Sequence, residues 1–334
     1  MIRLSVGLTG FMLIFVLFAF GTVQDPIPVL QTASSAPQST NDVKPPNNAA
    51  APQYDTLGRS GELASYYDRH LAIQDGKVYG WTGSDKPKYM LDNAVQVGVS
   101  DKVSYALLSS GTLVSWMEDV QDAKEITRDA AFFSAGKSGL FVIRKDGSLW
   151  RYAAPDQGGV QIASGGVAYA SIGDGADYYI NEQGHLFVKG LAHRGQYGNG
   201  RLESTSDYVK VAEDVVQVKG HTGHAVLLKK NGDVQGTGGN IFGPISTHGL
   251  GDKATTWGTI FQDAKMIATG ASHSVAIRSD NTLWIWGKTV GTTPSQVMER
   301  VVGIAAGTDV TLAKTVDGRI WFWKLGDQPK VWLE

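Results

Sequence analysis

The chain has 334 residues, a net charge of −2 and no cysteine. The lack of a basic excess argues against nucleic-acid binding, because phosphate backbones are bound mainly by clustered Lys and Arg. The lack of cysteine excludes disulfides, thiolate metal ligands and cysteine nucleophiles. Glycine is abundant, at 41 residues, and favours turns with positive φ, so composition indicates a turn-rich all-β chain.

The amino-terminal segment is strongly apolar. Residues 4–20 (LSVGLTGFMLIFVLFAF) carry no charge and follow Arg3. Their length lies between a signal-peptide core and a membrane-spanning helix, so residues 1–21 are predicted to form a hydrophobic helix that is either a cleaved signal peptide or a retained anchor. Positive charge before the apolar core keeps the amino terminus in the cytoplasm. We therefore expect an extracytoplasmic protein, secreted or tethered, that meets the membrane only through this segment.

Residues 22–56 change character and are rich in proline. Six of the eleven prolines lie there, among Ser, Thr, Asn, Gln and Ala. Such a segment buries too little apolar surface to offset the entropy of ordering it. It is predicted to be a disordered linker that leads to a folded head over residues 57–334.

The head consists of one unit repeated seven times, a strand, a tight turn and a second strand. Two residues after each turn pair stands an aliphatic side chain, and a polar residue precedes it, which is the period-2 pattern of a half-buried strand. A short stretch of small apolar residues ending in glycine stands upstream of each turn from the second unit on, as in GIAAG at 303–307. The turn pairs are Asp75-Gly76, Ser110-Gly111, Asp146-Gly147, Gln183-Gly184, Asn231-Gly232, Asp280-Asn281 and Asp317-Gly318, and the aliphatics are Val78, Leu113, Leu149, Leu186, Val234, Leu283 and Ile320.

This unit resembles the regulator-of-chromosome-condensation (RCC) repeat. The best matches are GASHSVAIRSDNTLWIWG at 270–287, HAVLLKKNG at 224–232 and the loop RGQYGNG at 194–200. The resemblance implies an all-β, seven-bladed β-propeller. Nuclear members of that family are exchange factors for a small GTPase and bind chromatin. An exported protein encounters neither the GTPase nor chromatin, so these activities are not expected for this chain.

Ring closure is predicted to involve the end of the chain. The first hairpin, 68–83, has no obvious outer strand before it, and PKVWLE at 329–334 has the pattern of one. Val331 to Leu333 are therefore expected to pair with the first blade.

The candidate functional residues lie in two long connections, 190–207 and 238–258. Both are expected on one face of adjacent blades, where insertions in repeat proteins often form a binding surface. The alternative is that they are ordinary loops packed on their own blades. Aromatic and Arg side chains are enriched at the energetic centres of interfaces. The candidate partner-binding residues are His193, Arg194, Tyr197, Arg201, Ile241, Phe242, His248 and Trp257.

No catalytic, cofactor or metal site is predicted. His221, His224 and His273 are interpreted as structural, the Trp series as packing between blades, and the Asp-Gly pairs as turns rather than calcium loops. The predicted function is an extracytoplasmic protein-binding scaffold with a monomeric head, with inhibitor or sensor roles as sub-cases. The alternatives are a propeller lyase or hydrolase with His, Asp or Glu clustered at the axial mouth, and a glycan-binding propeller.

Overall fold

The computed structural model describes residues 61–245 and 251–334. The predicted signal peptide or anchor at 1–21 and the predicted linker at 22–56 lie outside these residues. Within the described ranges, no helix combines the length and the apolar character needed to cross a membrane.

The described residues form seven four-stranded antiparallel sheets, so the predicted all-β seven-bladed propeller is confirmed. Blade 1 contains β1 Leu63–Tyr66, β2 Arg69–Gln74, β3 Lys77–Thr82 and β4 Lys88–Leu91; blade 2 contains β5 Ala94–Val99, β6 Ser104–Leu108, β7 Leu113–Trp116 and β8 Lys124–Thr127; blade 3 contains β9 Ala130–Gly136, β10 Gly139–Arg144, β11 Leu149–Tyr152 and β12 Val160–Ala163. Blade 4 contains β13 Val167–Ile172, β14 Ala176–Asn181, β15 Leu186–Gly190 and β16 Thr205–Ala212; blade 5 contains β17 Val215–His221, β18 His224–Lys229, β19 Val234–Gly239 and β20 Lys253–Phe261. Blade 6 contains β21 Ala264–Thr269, β22 His273–Arg278, β23 Leu283–Gly287 and β24 Gly291–Met298; blade 7 contains β25 Val301–Ala306, β26 Val310–Thr315, β27 Ile320–Lys324 and β28 Lys330–Leu333. One short 3-10 helix, Val120–Asp122, interrupts the strands of the described part.

The repeat register predicted from sequence is confirmed. The aliphatic residue two places after each turn is completely buried in all seven blades. The turns are stabilised locally; for example, the Asp146 carboxylate accepts hydrogen bonds from the backbone N–H and the hydroxyl of Ser148, at 2.9 and 2.6 Å. These bonds hold the pKa of Asp146 below its usual range. The Asp side chain here serves the hairpin, as expected of turn chemistry.

The first strand of each blade lines the axis of the ring, where space is least. A Cβ on Gly98 would lie 2.5 Å from Phe133 of the next blade, so this glycine permits the close approach of β5 and β9. Amide side chains bridge other inner strands. Gln217 donates to the carbonyl of Ile267 at 3.1 Å and accepts from its N–H at 3.0 Å. Gln96 bridges to Phe133 in the same way.

The aromatic residue five places after a turn packs between blades. Trp286 of blade 6 lies among Val226, Leu228 and Phe261 of blade 5. Trp116 and Trp323 are likewise buried against the preceding blade, and Trp81 lies against blade 7. The interpretation of this Trp series as packing is thus confirmed at these positions.

Ring closure differs from the prediction. β28 pairs with β27 of its own blade, with Leu333 opposite Ile320 and Val331 opposite Trp321. Blade 1 already has four strands, since its outer strand is the segment 88–91 that the sequence analysis missed. A short turn also brings β28 back onto β27 directly. The expected pairing of Val331 to Leu333 with the first blade is therefore wrong.

Side chains close the ring instead. Trp81 of blade 1 packs edge-on against Phe322 of blade 7, with ring centroids 6.0 Å apart. Lys314 forms an ion pair with Glu62, with Nζ and Oε2 2.8 Å apart, and its ammonium also donates to the carbonyl of Ile73. The seam is thus built like the other boundaries between blades.

Removing residues 329–334 should lower the melting temperature by about 5 °C or more. The deletion leaves β27 as an unpaired edge and removes Trp332, whose ring lies 4.8 Å from Phe322. Thermal unfolding followed by circular dichroism measures this change. A melting temperature equal to that of the full chain would show that β28 does not support the seam.

Candidate functional site

Two types of connection meet at one end of the propeller, which we call the loop face. In each of blades 4, 5 and 6, the segment that leaves the third strand donates a hydrogen bond to the turn between the first two strands. Leu191 N–H donates to Gly175, Gly239 to Gly223, and Lys288 to Ser272, at 2.7 to 2.9 Å. The connection 191–204 and the described parts of the second connection, 240–245 and 251–252, therefore lie on the same face, as predicted.

The connection of blade 4 rests on blade 5. Gly195 offers its carbonyl to the buried hydroxyl of Thr237 at 2.8 Å, and Gly200 N–H donates to the carbonyl of Thr255 at 2.8 Å. Gly198 has a φ of +66°, and a Cβ there would lie 2.4 Å from the indole of Trp257. The loop is thus clamped onto the outer strand of the next blade.

The connection of blade 5 rests on blade 6 in the same manner. The carbonyl of Pro244 accepts from the indole N–H of Trp286 at 2.7 Å and from the hydroxyl of Ser274 at 2.8 Å. All three residues are buried. The described parts of both connections are therefore held against the neighbouring blades.

The structure separates the predicted residues into two groups. His193, Arg194, Arg201, Ile241 and Phe242 are exposed. Tyr197 is buried, with 1% of its surface accessible, and its hydroxyl donates to the carbonyl of Gly190 at 2.7 Å, so the expectation of an exposed anchor is wrong there. Trp257 is half-buried under Gly198. His248 lies outside the described residues.

Three of these exposed residues, together with the exposed Leu191 and the half-buried Lys288, form a patch across blades 4, 5 and 6, which we call the loop-face patch. It consists of Leu191, Arg194, Ile241, Phe242 and Lys288. The side chain of Leu191 covers Gly175, and that of Arg194 runs between Gly223 and Gly239. Lys288 Nζ lies 5.5 Å from the centroid of the Phe242 ring. Ile241 is 68% exposed and Phe242 49%, and the two are consecutive in the chain, so they expose a continuous apolar surface.

A polar cluster closes the axis on the same face. The Tyr66 hydroxyl of blade 1 donates to Asp174 at 3.1 Å, and Thr222 donates to the other Asp174 oxygen at 3.4 Å. His221 Nδ1 lies 2.6 Å from the Thr222 oxygen, and its ring stacks on Tyr66. Burial lowers the pKa of His221, and the Asp174 carboxylate opposes that shift. The cluster matches the expectation for a propeller enzyme only in placing a buried His beside a carboxylate.

Buried histidines elsewhere serve the scaffold. His273 Nε2 lies 3.1 Å from the hydroxyl of Thr311 in the next blade, and the side chain is fully buried. Burial lowers the pKa of His224 and of His273 to about 3, and that of His70 to about 4. The sequence analysis interpreted His273 as a structural residue, and its contact with Thr311 agrees with that interpretation. In the described ranges, no group of three His, Cys, Asp or Glu is placed to hold a metal ion.

Known proteins support the repeat assignment. The family model described as "Regulator of chromosome condensation (RCC1) repeat" matches residues 265–289, which cover β22 and β23. The human Regulator of chromosome condensation is 27% identical over 172 residues, which is 45% of this chain and 41% of that protein. The chain is thus a seven-bladed propeller with an RCC1 repeat in its sixth blade. It spans about two fifths of the human relative that it matches.

Solved structures of RCC1-repeat propellers and related proteins share the fold. Prp20p from Saccharomyces cerevisiae, studied for its binding to Gsp1p and histones, superposes with a TM-score of 0.66 at 14% identity, over 75% of this chain and 81% of that one. Human WBSCR16 superposes with a TM-score of 0.51 at 15% identity, over 81% of each chain. At these identities the likeness concerns the fold alone.

Proposed function

We propose that this RCC1-repeat propeller is a protein-binding scaffold that recognises its partner through the loop-face patch. The observation that carries the proposal is the exposure of Leu191, Ile241 and Phe242 on loops that are clamped to the neighbouring blades. Rigid loops lose little conformational entropy on binding, and solvent-exposed apolar side chains gain by being covered.

The charges around these side chains add a preference. Arg194 flanks the apolar residues, as does Lys288, which also pairs with Asp309 at 3.6 Å between Nζ and Oδ1. Arg is enriched at the centres of protein interfaces. A protein surface with apolar side chains and acidic groups at its rim would complement the patch. Prp20p, a propeller of similar fold, has binding properties toward Gsp1p and histones, which supports a role in protein binding without indicating the same partners.

The proposed setting is outside the cytoplasmic membrane. This part of the proposal depends on the uncharged segment 4–20 and the proline-rich segment 22–56 that follows it. A partner of the cell envelope, including an enzyme that the propeller inhibits, agrees with that setting. Protease accessibility of the head in intact cells, compared with lysed cells, tests the location directly.

Replacing Ile241 and Phe242 together by serine should weaken partner binding at least tenfold, because the centre of an interface contributes most of its affinity. Cross-linking in intact cells, followed by quantitative mass spectrometry, identifies the proteins whose yield falls in this variant. Binding of the purified partner by calorimetry then measures the loss.

The matched control replaces Val302 and Val316 by serine. These two side chains are also exposed and lie in blade 7, outside the loop-face patch. This variant should bind as the wild type does. Equal loss in both double variants, or no loss in the first, would contradict the assignment of binding to the loop-face patch.

A further inference from the structure

The inner strands enclose a cavity of about 150 Å³ on the axis of the ring. Its lining comes from blades 1 to 7 and includes the charged residues Asp174 and Lys219. The cavity is separate from the loop-face patch, which lies on the outer connections.

The Asp174 carboxylate is held at the mouth of the cavity by hydrogen bonds. Its two oxygens accept hydrogen bonds from the hydroxyls of Tyr66 and Thr222, and His221 lies 3.7 Å from it. Both carboxylate oxygens of Asp174 are therefore used in the polar cluster with Tyr66, Thr222 and His221.

Lys219 has no such partner. Among residues 61–245 and 251–334, no carboxylate lies within 4.0 Å of its ammonium and no oxygen accepts a hydrogen bond from it. In the described part of the chain, its ammonium lies over the ring of Tyr169, with the ring centroid 5.5 Å from Nζ. A ring face attracts the charge but leaves the three N–H donors unsatisfied.

Tyr169 is also incompletely satisfied. Its side chain lines the cavity and is 2% exposed, and its hydroxyl is buried without a hydrogen-bond partner in the described part of the chain. Buried hydroxyls in folded proteins almost always have a partner. Lys219, whose ammonium has no counter-ion, and Tyr169, whose hydroxyl has no acceptor, thus line the same cavity.

We propose that the axial cavity binds a small anion, of carboxylate or phosphate size, between the ammonium of Lys219 and the hydroxyl of Tyr169. Both groups donate to an anion, and oxygen anions accept such charge-assisted bonds strongly. The site is independent of the protein-binding function proposed for the loop-face patch.

Thermal unfolding of the purified full chain tests the site with inorganic phosphate and, in a second arm, acetate. A chloride solution of equal ionic strength is the reference. At about 10 mM phosphate the wild-type melting temperature should rise by roughly 3 °C, because a ligand that binds only the native state stabilises it. The acetate arm distinguishes a carboxylate site from one that requires a phosphate.

Lys219→Met should abolish the rise, and Tyr169→Phe, which removes only the hydroxyl, should reduce it by at least half. Lys189→Met is the matched control, since Lys189 also lies over a tyrosine ring, that of Tyr208 at 4.8 Å, but does not line the cavity. General stabilisation by salt acts equally on all variants. No rise in the wild type with either anion, or an equal rise in Lys219→Met and Lys189→Met, would overturn the proposal.

Discussion

Replacing Trp286 by alanine should lower the free energy of unfolding by about 3–5 kcal/mol, the range for a fully buried aromatic residue. Trp286 is 0% exposed and stacks on Phe261 of the preceding blade, with ring centroids 5.8 Å apart. The indole N–H also holds the connection 240–245 through Pro244. Loss of the side chain therefore opens a cavity between blades and frees a loop of the patch.

Two further variants separate these effects. Trp286→Phe keeps most of the packing but removes the bond to Pro244, so it should cost about 1 kcal/mol. Trp284 is only partly buried and donates to Thr282 within its own hairpin, so Trp284→Ala should cost clearly less than Trp286→Ala. Urea unfolding followed by fluorescence measures all three. A loss below 1 kcal/mol for Trp286→Ala would contradict the packing described for blades 5 and 6.

Acidification should destabilise the propeller well before its carboxylates are protonated. His70, His224 and His273 are buried, and burial lowers their pKa to about 4, 3 and 3. In the unfolded chain a histidine has a pKa of about 6.5. Between the pKa of the unfolded chain and the pKa of the folded protein, the unfolded state binds more protons than the folded state. The free energy of unfolding therefore decreases as the pH falls through this range. Each histidine should remove about 2 kcal/mol between pH 7.5 and pH 5.

Urea unfolding at a series of pH values measures this effect. His273→Gln cannot titrate and can still bond to Thr311, so it should lose about 2 kcal/mol less than the wild type over the same interval. His193→Gln, at an exposed position, serves as the control for the substitution itself. A stability that is constant from pH 7.5 to pH 5 would refute the buried neutral state of these histidines.

The fold was predictable because it repeats. Each turn pair is followed at a constant distance by an aliphatic residue, and one register satisfies all seven blades. The seam was not predictable in this way, since the segments 88–91 and 330–333 have similar patterns and local spacing does not say which strand each will pair with. Pairing depends on the turn at 325–329, which returns β28 to β27.

The candidate site was predictable only in outline. The two long connections were located, and Ile241 and Phe242 are exposed as expected. Tyr197 was misjudged because an aromatic residue in a loop gives no sign of whether its hydroxyl will meet a carbonyl of the same loop, as it does at Gly190. The contact between Lys219 and Tyr169 could not be predicted, because the two residues are 50 positions apart and lie in strands of different blades. The bridge from Gln217 to Ile267 gave no signal for the same reason.

The seam between blades 7 and 1 determines where the ends of the chain can be placed. Each sheet consists of one uninterrupted stretch of sequence, and the seam contains no strand borrowed from the other end. The architecture of the ring therefore does not depend on which blade comes first in the chain. A circularly permuted head, with its ends placed between any two sheets and a linker across the old seam, would specify the same architecture.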